Sequence, residues 1–372
     1  MKMTELKRIL TAICCAAFCF AAAARAGVDN AAVAQRRAAF IGRMVEQHGF
    51  DRASLAATLD GIHIDDQILA TIAKPAERVV PWYEYRKIFL TPERIETGAA
   101  FWRQHAAEVA AASRRYGVAP EMLVAILGIE TYFGQRMGHY RVLDALGTLA
   151  FAYPPRADFF ASELEAFLLI SRREGPAMLG ALGSYAGAMG AGQFIPTSFE
   201  AYAVDADGDG RRDLWHDWSD ILGSVANYFS KHGWQRGGPV AERATFGAQR
   251  QWSAERDGES SPVRKAAESS RAGKGASPHG RAPAPAAPTA RFRLDHKVAE
   301  LRALGYEFSL QRAAALPAGI VALEGEGGST EYWVGYRNFA VIMRYNGSPK
   351  YALAAYELSR AIRSAYLGSP AR

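Results

Sequence analysis

The sequence predicts a mainly α-helical protein with a small antiparallel β element near its C-terminus, and three observations carry that prediction. Amphipathic, Ala- and Arg-rich segments recur from Asn30 onward and break at Gly61, Pro75, Pro81 and Pro92. Short alternating segments come only late, at Gly319–Leu323 and Thr330–Tyr336, with Gly325–Gly328 between them as a hairpin turn. The composition, 49% hydrophobic and 11% aromatic over 372 residues, provides core for two or three packed units and excludes disordered and fibrous classes.

Taken in order, residues 1–26 read as a secretory signal. Lys2, Lys7 and Arg8 give a basic start, Ile9–Ala24 an apolar centre, and Ala24-Arg25-Ala26 a small-residue cleavage site. The expected location is therefore the periplasm, with the outer membrane as a surface for association. All three cysteines, Cys14, Cys15 and Cys19, lie in this leader, so the mature chain has no thiol chemistry. Ile13, Cys14 and Phe18 precede them where a lipidation signal needs a small residue, so lipidation is not expected. No later apolar run is long enough to span a membrane. Without the leader, Lys+Arg falls from 44 to 40 and Asp+Glu from 38 to 37, and the net charge from +6 to +3. That mild excess does not imply nucleic acid and suits a polyanionic polymer outside the cytoplasm.

Residues 27–112 form an N-terminal helical region whose clearest helix, Thr97–Tyr116, runs on to a stop at Gly117. Residues 113–250 follow as helix after helix with two glycine-rich interruptions. Residues 251–292 are Ala-, Pro- and Ser-rich, with Ala282–Pro288 the extreme, and read as a disordered insertion. Residues 293–372 return to order. Asp295–Leu304 is helical and closed by Gly305, the two short strands follow, Asn338–Arg344 could extend the sheet, and Tyr351–Tyr366 closes the chain as a helix.

Glu130 stands out because it sits among apolar and glycine neighbours in Gly128-Ile-Glu-Thr-Tyr-Phe-Gly134. Pro120 suits the first turn of the preceding helix, which places Glu130 at its C-terminal end. Carbonyl dipoles and apolar walls there both disfavour the anion, as a general acid requires. A half-exposed glutamate at an ordinary helix end fits the segment equally well.

The segment Ser184–Pro196 packs Gly187, Gly190 and Gly192 into six positions. No Lys-Ser or Lys-Thr follows, which excludes a phosphate loop. Glycine at this density permits close approach of another chain, such as a sugar, or simply a tight turn. Gln193, a polar amide before Phe194-Ile-Pro196, needs a partner in the backbone or in a ligand. Further on, Asp205, Asp207, Asp209 and Gly210 match the first half of a calcium loop. Position twelve is His216 where a glutamate is expected, so Asp217 or Asp220 must close the cage. The alternative is a solvated acidic turn.

Glu130–Gly134, Ser184–Gly190 with Gln193-Phe194, Asp205–Asp213 and Arg344-Tyr-Asn-Gly-Ser-Pro349 occur in one order that resembles the membrane-bound lytic murein transglycosylase B family. The resemblance covers nearly all of the mature chain except the insertion. It implies a lysozyme-like helical core and cleavage of the β-1,4 bond between N-acetylmuramic acid and N-acetylglucosamine in peptidoglycan, leaving a 1,6-anhydromuramoyl end. It implies Glu130 as the single acid and base, with Ser184, Gln193, Tyr228, Tyr345 and Asn346 lining a saccharide groove. It also implies calcium held by Asp205, Asp207, Asp209, the carbonyl of Arg211 and Asp220. In Tyr153-Pro154-Pro155-Arg156 a proline replaces the family's first arginine, leaving Arg156 as the candidate contact. The expected partners are glycan strands and other cell-wall enzymes, bound by a monomer; no organic cofactor is expected. The competing readings are a muramidase that uses water, a non-catalytic peptidoglycan-binding scaffold, and a calcium-responsive partner protein.

Overall fold

A computed structural model describes residues 29–73, 80–247, 292–310 and 313–368. The expected leader and residues 251–291 of the expected insertion lie outside them. The chain divides into two compact units, one containing residues 1–74, 140–181 and 185–187, the other the remainder.

The path starts in the first unit with α1 (Asn30–His48), α2 (Arg52–Asp60) and α3 (Asp66–Ile72). Asp29, Asp51 and Asp65 cap these helices by accepting from the backbone N–H groups of the second or third residue of each. The second unit then contributes α4 (Trp82–Phe89), α5 (Pro92–Gln104), α6 (Ala106–Tyr116) and α7 (Pro120–Thr131). The chain returns to the first unit for α8 (Val142–Ala152) and α9 (Ala157–Glu174). Within that unit α8 packs on α9 and α1, and the rings of Phe40 and Phe151 meet edge to face at 5.8 Å.

The rest belongs to the second unit: α10 (Pro196–Tyr202), α11 (Trp218–Lys231), β1 (Ala241–Phe246), β2 (His296–Lys297), α12 (Val298–Ala303), β3 (Tyr306–Glu307), β4 (Pro317–Glu324), β5 (Thr330–Gly335), α13 (Arg337–Tyr345) and α14 (Pro349–Tyr366). Its centre is α7, where every residue from Met122 to Gly128 is buried. A helix apolar on all sides must be surrounded, and α5, α6, α11 and α14 pack around it. The five strands form an antiparallel sheet in the order β2-β4-β5-β1-β3. Gly319 and Gly335 face each other across β4 and β5. A Cβ on Gly319 would lie 1.9 Å from the Arg293 carbonyl, so glycine lets that chain cross the sheet. Among the described residues, no helix is long and apolar enough to cross a membrane.

The helical class, the late hairpin and the closing helix agree with the sequence reading. The expected helix Asp295–Leu304 is shortened by β2 at His296–Lys297, Tyr306–Glu307 adds the unexpected β3, and three larger elements differ. The expected single helix Thr97–Tyr116 is two, α5 and α6, joined at His105 with φ −112° and ψ 33°. The His105 ring packs against Phe101 at 4.7 Å and Trp218 at 5.0 Å, a core contact that outweighs helix continuity. Asn338–Arg344, expected to extend the sheet, is helical in α13. Its buried residues are 338, 339, 341 and 342, the stripe of a helix and not the alternation of a strand. The Asn338 amide also closes the preceding turn, accepting from Gln235 N and donating to the Gln235 and Gly238 carbonyls. Strand β1 was not expected, because Ala241-Glu-Arg-Ala-Thr-Phe246 has little apolar alternation. It is made by pairing on both sides.

Candidate active site

Glu130 occupies the last turn of α7, half-buried, with Thr131 as the final helical residue. The chain then takes left-handed conformations at Tyr132 (φ 53°), Phe133 (φ 60°) and Gly134 (φ 83°). Two non-glycine residues in that region cost about 1–3 kcal/mol each, so their surroundings must hold them. Thr131 Oγ1 donates to the Ala191 carbonyl at 2.8 Å and accepts from Gly134 N at 3.0 Å. Phe133 N donates to the Leu127 carbonyl at 3.0 Å. The Phe133 ring lies over Gly98 and Gly128, where a Cβ would come within 2.9 and 2.8 Å of it. The glycine before Glu130 is therefore a seat for the phenylalanine after it.

The partner of Glu130 comes from α14. Tyr351, 3% exposed, donates its hydroxyl to Glu130 Oε1. Burial, then the charge of Glu130, then Tyr345, hold the Tyr351 hydroxyl well above its ordinary pKa, so it stays a donor. Tyr345, at the end of α13, is raised in the same way, by burial first and by Glu130 next. Its hydroxyl donates to the Gly192 carbonyl at 2.5 Å, and its ring packs against Tyr228 at 4.9 Å and Phe229 at 5.7 Å. The Tyr228 hydroxyl donates to the Arg344 carbonyl at 2.5 Å and is pushed up to about 12, chiefly by burial.

The glycine-rich segment is a tight double turn. Met189 and Phe194 exchange both backbone bonds, at 2.8 and 3.0 Å, and Gln193 between them has φ 52°. The Gln193 amide nitrogen donates to the Gly190 and Met137 carbonyls at 2.9 and 3.2 Å. Its expected need for a partner is thus met by backbone on the nitrogen side. Ser184 Oγ accepts from Ala188 N at 3.0 Å, and Ser184 N donates to the Ala188 carbonyl at 2.9 Å. Asn346 Oδ1 accepts from Ser348 N at 3.2 Å and shapes the entry to α14.

Ser184, Gln193, Tyr228, Tyr345 and Asn346 thus share the second unit with Glu130. Tyr345 and Tyr228 join it through the contacts above, and Gln193 through Gly190 and the Thr131–Ala191 bond. Arg156 belongs to the first unit, where its guanidinium lies over Phe159 at 4.3 Å and Phe160 at 5.2 Å. Sequence reasoning missed Tyr351 and Thr131. Only their nearness to the Pro349 and Glu130 motifs could have marked them.

In the acidic loop, one oxygen from each of Asp205, Asp207 and Asp209 lies within 4.8 Å of the others. Calcium takes oxygens at about 2.3–2.6 Å, so that spread matches ligands around one ion. Asp220, in the first turn of α11 and 1% exposed, accepts from Ala206 N at 2.7 Å and Asp213 N at 2.8 Å. Asp217 instead caps α11 through Ser219 N and Asp220 N. Asp220 is therefore the carboxylate turned toward the loop, and burial pushes it above the usual carboxylate range. The donor set, hard oxygens with one desolvated carboxylate, fits calcium. The loop also reaches the glycine-rich segment, since Ala191 N donates to the Leu214 carbonyl at 2.8 Å.

Comparison with known proteins matches residues 32–360 to the transglycosylase SLT domain family. The chain is similar to membrane-bound lytic murein transglycosylase B of Escherichia coli (strain K12), with 38% identity over 332 residues, 87% of this chain and 81% of that one. It also resembles the crystal structure of Escherichia coli lytic transglycosylase Slt35 in complex with calcium, at TM-score 0.73 and 37% identity, covering 89% of this chain and 94% of that one. A third likeness is to SltB3 from Pseudomonas aeruginosa in complex with NAG-anhNAM-pentapeptide, at TM-score 0.71 and 28% identity, covering 89% and 80%. These neighbours give the helical core its lysozyme-like class. With nearly all of its described residues inside one family match, the chain belongs to the lytic murein transglycosylase B family of enzymes.

Proposed function

We propose that this lytic transglycosylase cleaves the β-1,4 bond between N-acetylmuramic acid and N-acetylglucosamine of peptidoglycan and leaves a 1,6-anhydromuramoyl end, with Glu130 as its single acid and base. The observation that carries the reading is Glu130 itself, half-buried at the end of an apolar helix with Oε1 bound by the Tyr351 hydroxyl. The murein substrate of the Escherichia coli relative and the anhydro sugar bound to SltB3 support it.

The protonated Glu130 carboxyl gives its proton to the glycosidic oxygen as the bond from that oxygen to the anomeric carbon breaks. The resulting carboxylate takes the proton of the muramoyl C6 hydroxyl, and O6 closes on the anomeric carbon. No water enters, and Glu130 regains its proton. The C6 hydroxyl thus does what a second carboxylate does in ordinary glycosidases. Tyr351 orients the carboxyl, while Ser184, Gln193, Tyr228, Tyr345 and Asn346 line the groove. Asp205, Asp207, Asp209, the Arg211 carbonyl and Asp220 would hold calcium, whose charge would neutralise the acidic loop beside the turn that Leu214 braces. An exported protein of the cell envelope, working as a monomer on glycan strands and beside other cell-wall enzymes, fits this reading.

Mass spectrometry of products from murein sacculi tests it. Anhydromuramoyl ends are expected, and Glu130→Gln should abolish them. Reducing ends as the main product would mean a muramidase. Sacculus binding with no products would mean a scaffold.

A further inference from the structure

Two residues beyond Glu130, Tyr132 carries a guanidinium over its ring from each of two arginines, a cluster the glycosidic mechanism does not use. Arg94 Cζ lies 5.1 Å and Arg136 Cζ 4.8 Å from the ring centroid. Among the described residues neither arginine forms a salt bridge, although both guanidiniums crowd one aromatic ring. Burial pushes Arg94 below its ordinary value and Arg136 adds to this, with Tyr132 and Glu93 opposing. Arg94 Nη1 donates to the Ile88 carbonyl at 2.5 Å, while its Nε is buried with no partner. The Arg136 side chain is exposed and makes no hydrogen bond to described residues. The Tyr132 side chain is 9% exposed and its hydroxyl is buried without a partner.

Two like charges drawn onto one ring repel each other, and an anion placed against them is attracted to both. A guanidinium stacked on an aromatic face keeps its in-plane N–H fork, which matches a carboxylate in two parallel bonds. The ring that positions both forks is itself held in place by the left-handed turn following Glu130. Tyr132 and Arg136 thus stand on the turn that leaves Glu130, where Arg136 N donates to the Thr131 carbonyl at 2.8 Å.

We infer that Arg94, Tyr132 and Arg136 form a carboxylate-binding site that takes an acid group of the peptide borne by the glycan strand. The assignment rests on the glycan reading above, because it is peptidoglycan that brings a peptide carboxylate near Glu130. Arg136 supplies the accessible fork, and Arg94 supplies the fixed charge behind it.

Calorimetric titration of the full chain carrying Glu130→Gln tests the site without turnover. The ligands are murein disaccharide–peptide fragments with peptide carboxyls free or amidated. At low ionic strength the free acid should bind about tenfold more tightly, the scale of one charge-assisted bidentate contact. Arg136→Gln should remove that preference and Arg136→Lys should keep part of it, with melting temperatures unchanged. Equal affinity for both forms, or a preference that survives Arg136→Gln, overturns the site. Unmodified protein that digests sacculi but binds both forms equally keeps the glycan reading and loses the site. Protein that digests nothing yet prefers the free acid loses the glycan reading and keeps the site.

Discussion

The hydroxyl of Tyr351 on α14 donates to Oε1 of Glu130 on α7, across 221 residues of chain. Two separate helices thus set the orientation of one carboxyl. Tyr351→Phe removes the donor while keeping the ring and its packing. The carboxylate that Glu130 becomes on giving up its proton would lose a hydrogen bond worth about 1.5–3 kcal/mol, so kcat should fall about 10- to 100-fold. KM should change far less, since the ring still fills its site. Because burial and Glu130 keep Tyr351 protonated, its ionisation should add no alkaline limb to the pH–rate profile of the unmodified enzyme. Full activity in Tyr351→Phe would remove the orienting role.

Calcium should raise the melting temperature, and chelation should lower it. An ion at a hundred times its Kd adds about 2.7 kcal/mol, or about 5–10 °C for a unit of this size. Asp205→Ala with Asp209→Ala should erase the calcium response. A melting curve indifferent to chelator would count against a metal in this loop.

Gly190 and Gly42 should respond oppositely to alanine. At Gly190, φ is +66° and a Cβ would lie 2.3 Å from the Leu214 carbonyl. Gly190→Ala should cost about 2–4 kcal/mol and slow turnover, because the same turn holds Ala191 and Gln193. Gly42, inside α1, has nothing within 4 Å of the added Cβ. Gly42→Ala should stabilise by about 0.5–1 kcal/mol. Denaturant titration separates the two outcomes, and equal effects would show that the close approach at Leu214 is relieved by movement.

Glu357 gives a pH dependence of stability. Burial raises its pKa above the ordinary glutamate value, against the pull of Arg86, whose Nη2 lies 2.8 Å from its Oε1. The folded protein therefore holds this proton more tightly than the unfolded chain. Its contribution relative to Glu357→Gln is fully present below the unfolded pKa, and it is lost as pH rises through the folded pKa. Melting temperatures of both proteins from about pH 4 to pH 7 should show the original losing ground steadily. A constant gap would mean that the proton is held equally in both states.

Much of the site was legible because its signals are local. Gly117 ends α6 and Pro120 opens α7, whose last turn holds Glu130, and the Asp205–Gly210 spacing brings three carboxylates together. Four ordered motifs gave the family. Spacing alone left Asp217 and Asp220 equivalent, and the resemblance implied Asp220; the fold makes Asp217 a helix cap and turns Asp220 into the loop. Arg156, named beside Glu130 in sequence, belongs to a different compact unit.

The sequence by itself determined the helical class, the place of Glu130 near a helix end and the clustering of the acidic loop. Each follows from backbone preferences and charge within a few residues. Only the tertiary structure decided that Tyr351 meets Glu130, that His105 divides a helix, that 241–246 joins a sheet and that 338–344 does not. Those outcomes depend on which distant groups share a buried space, where packing and paired polar atoms outweigh local propensity.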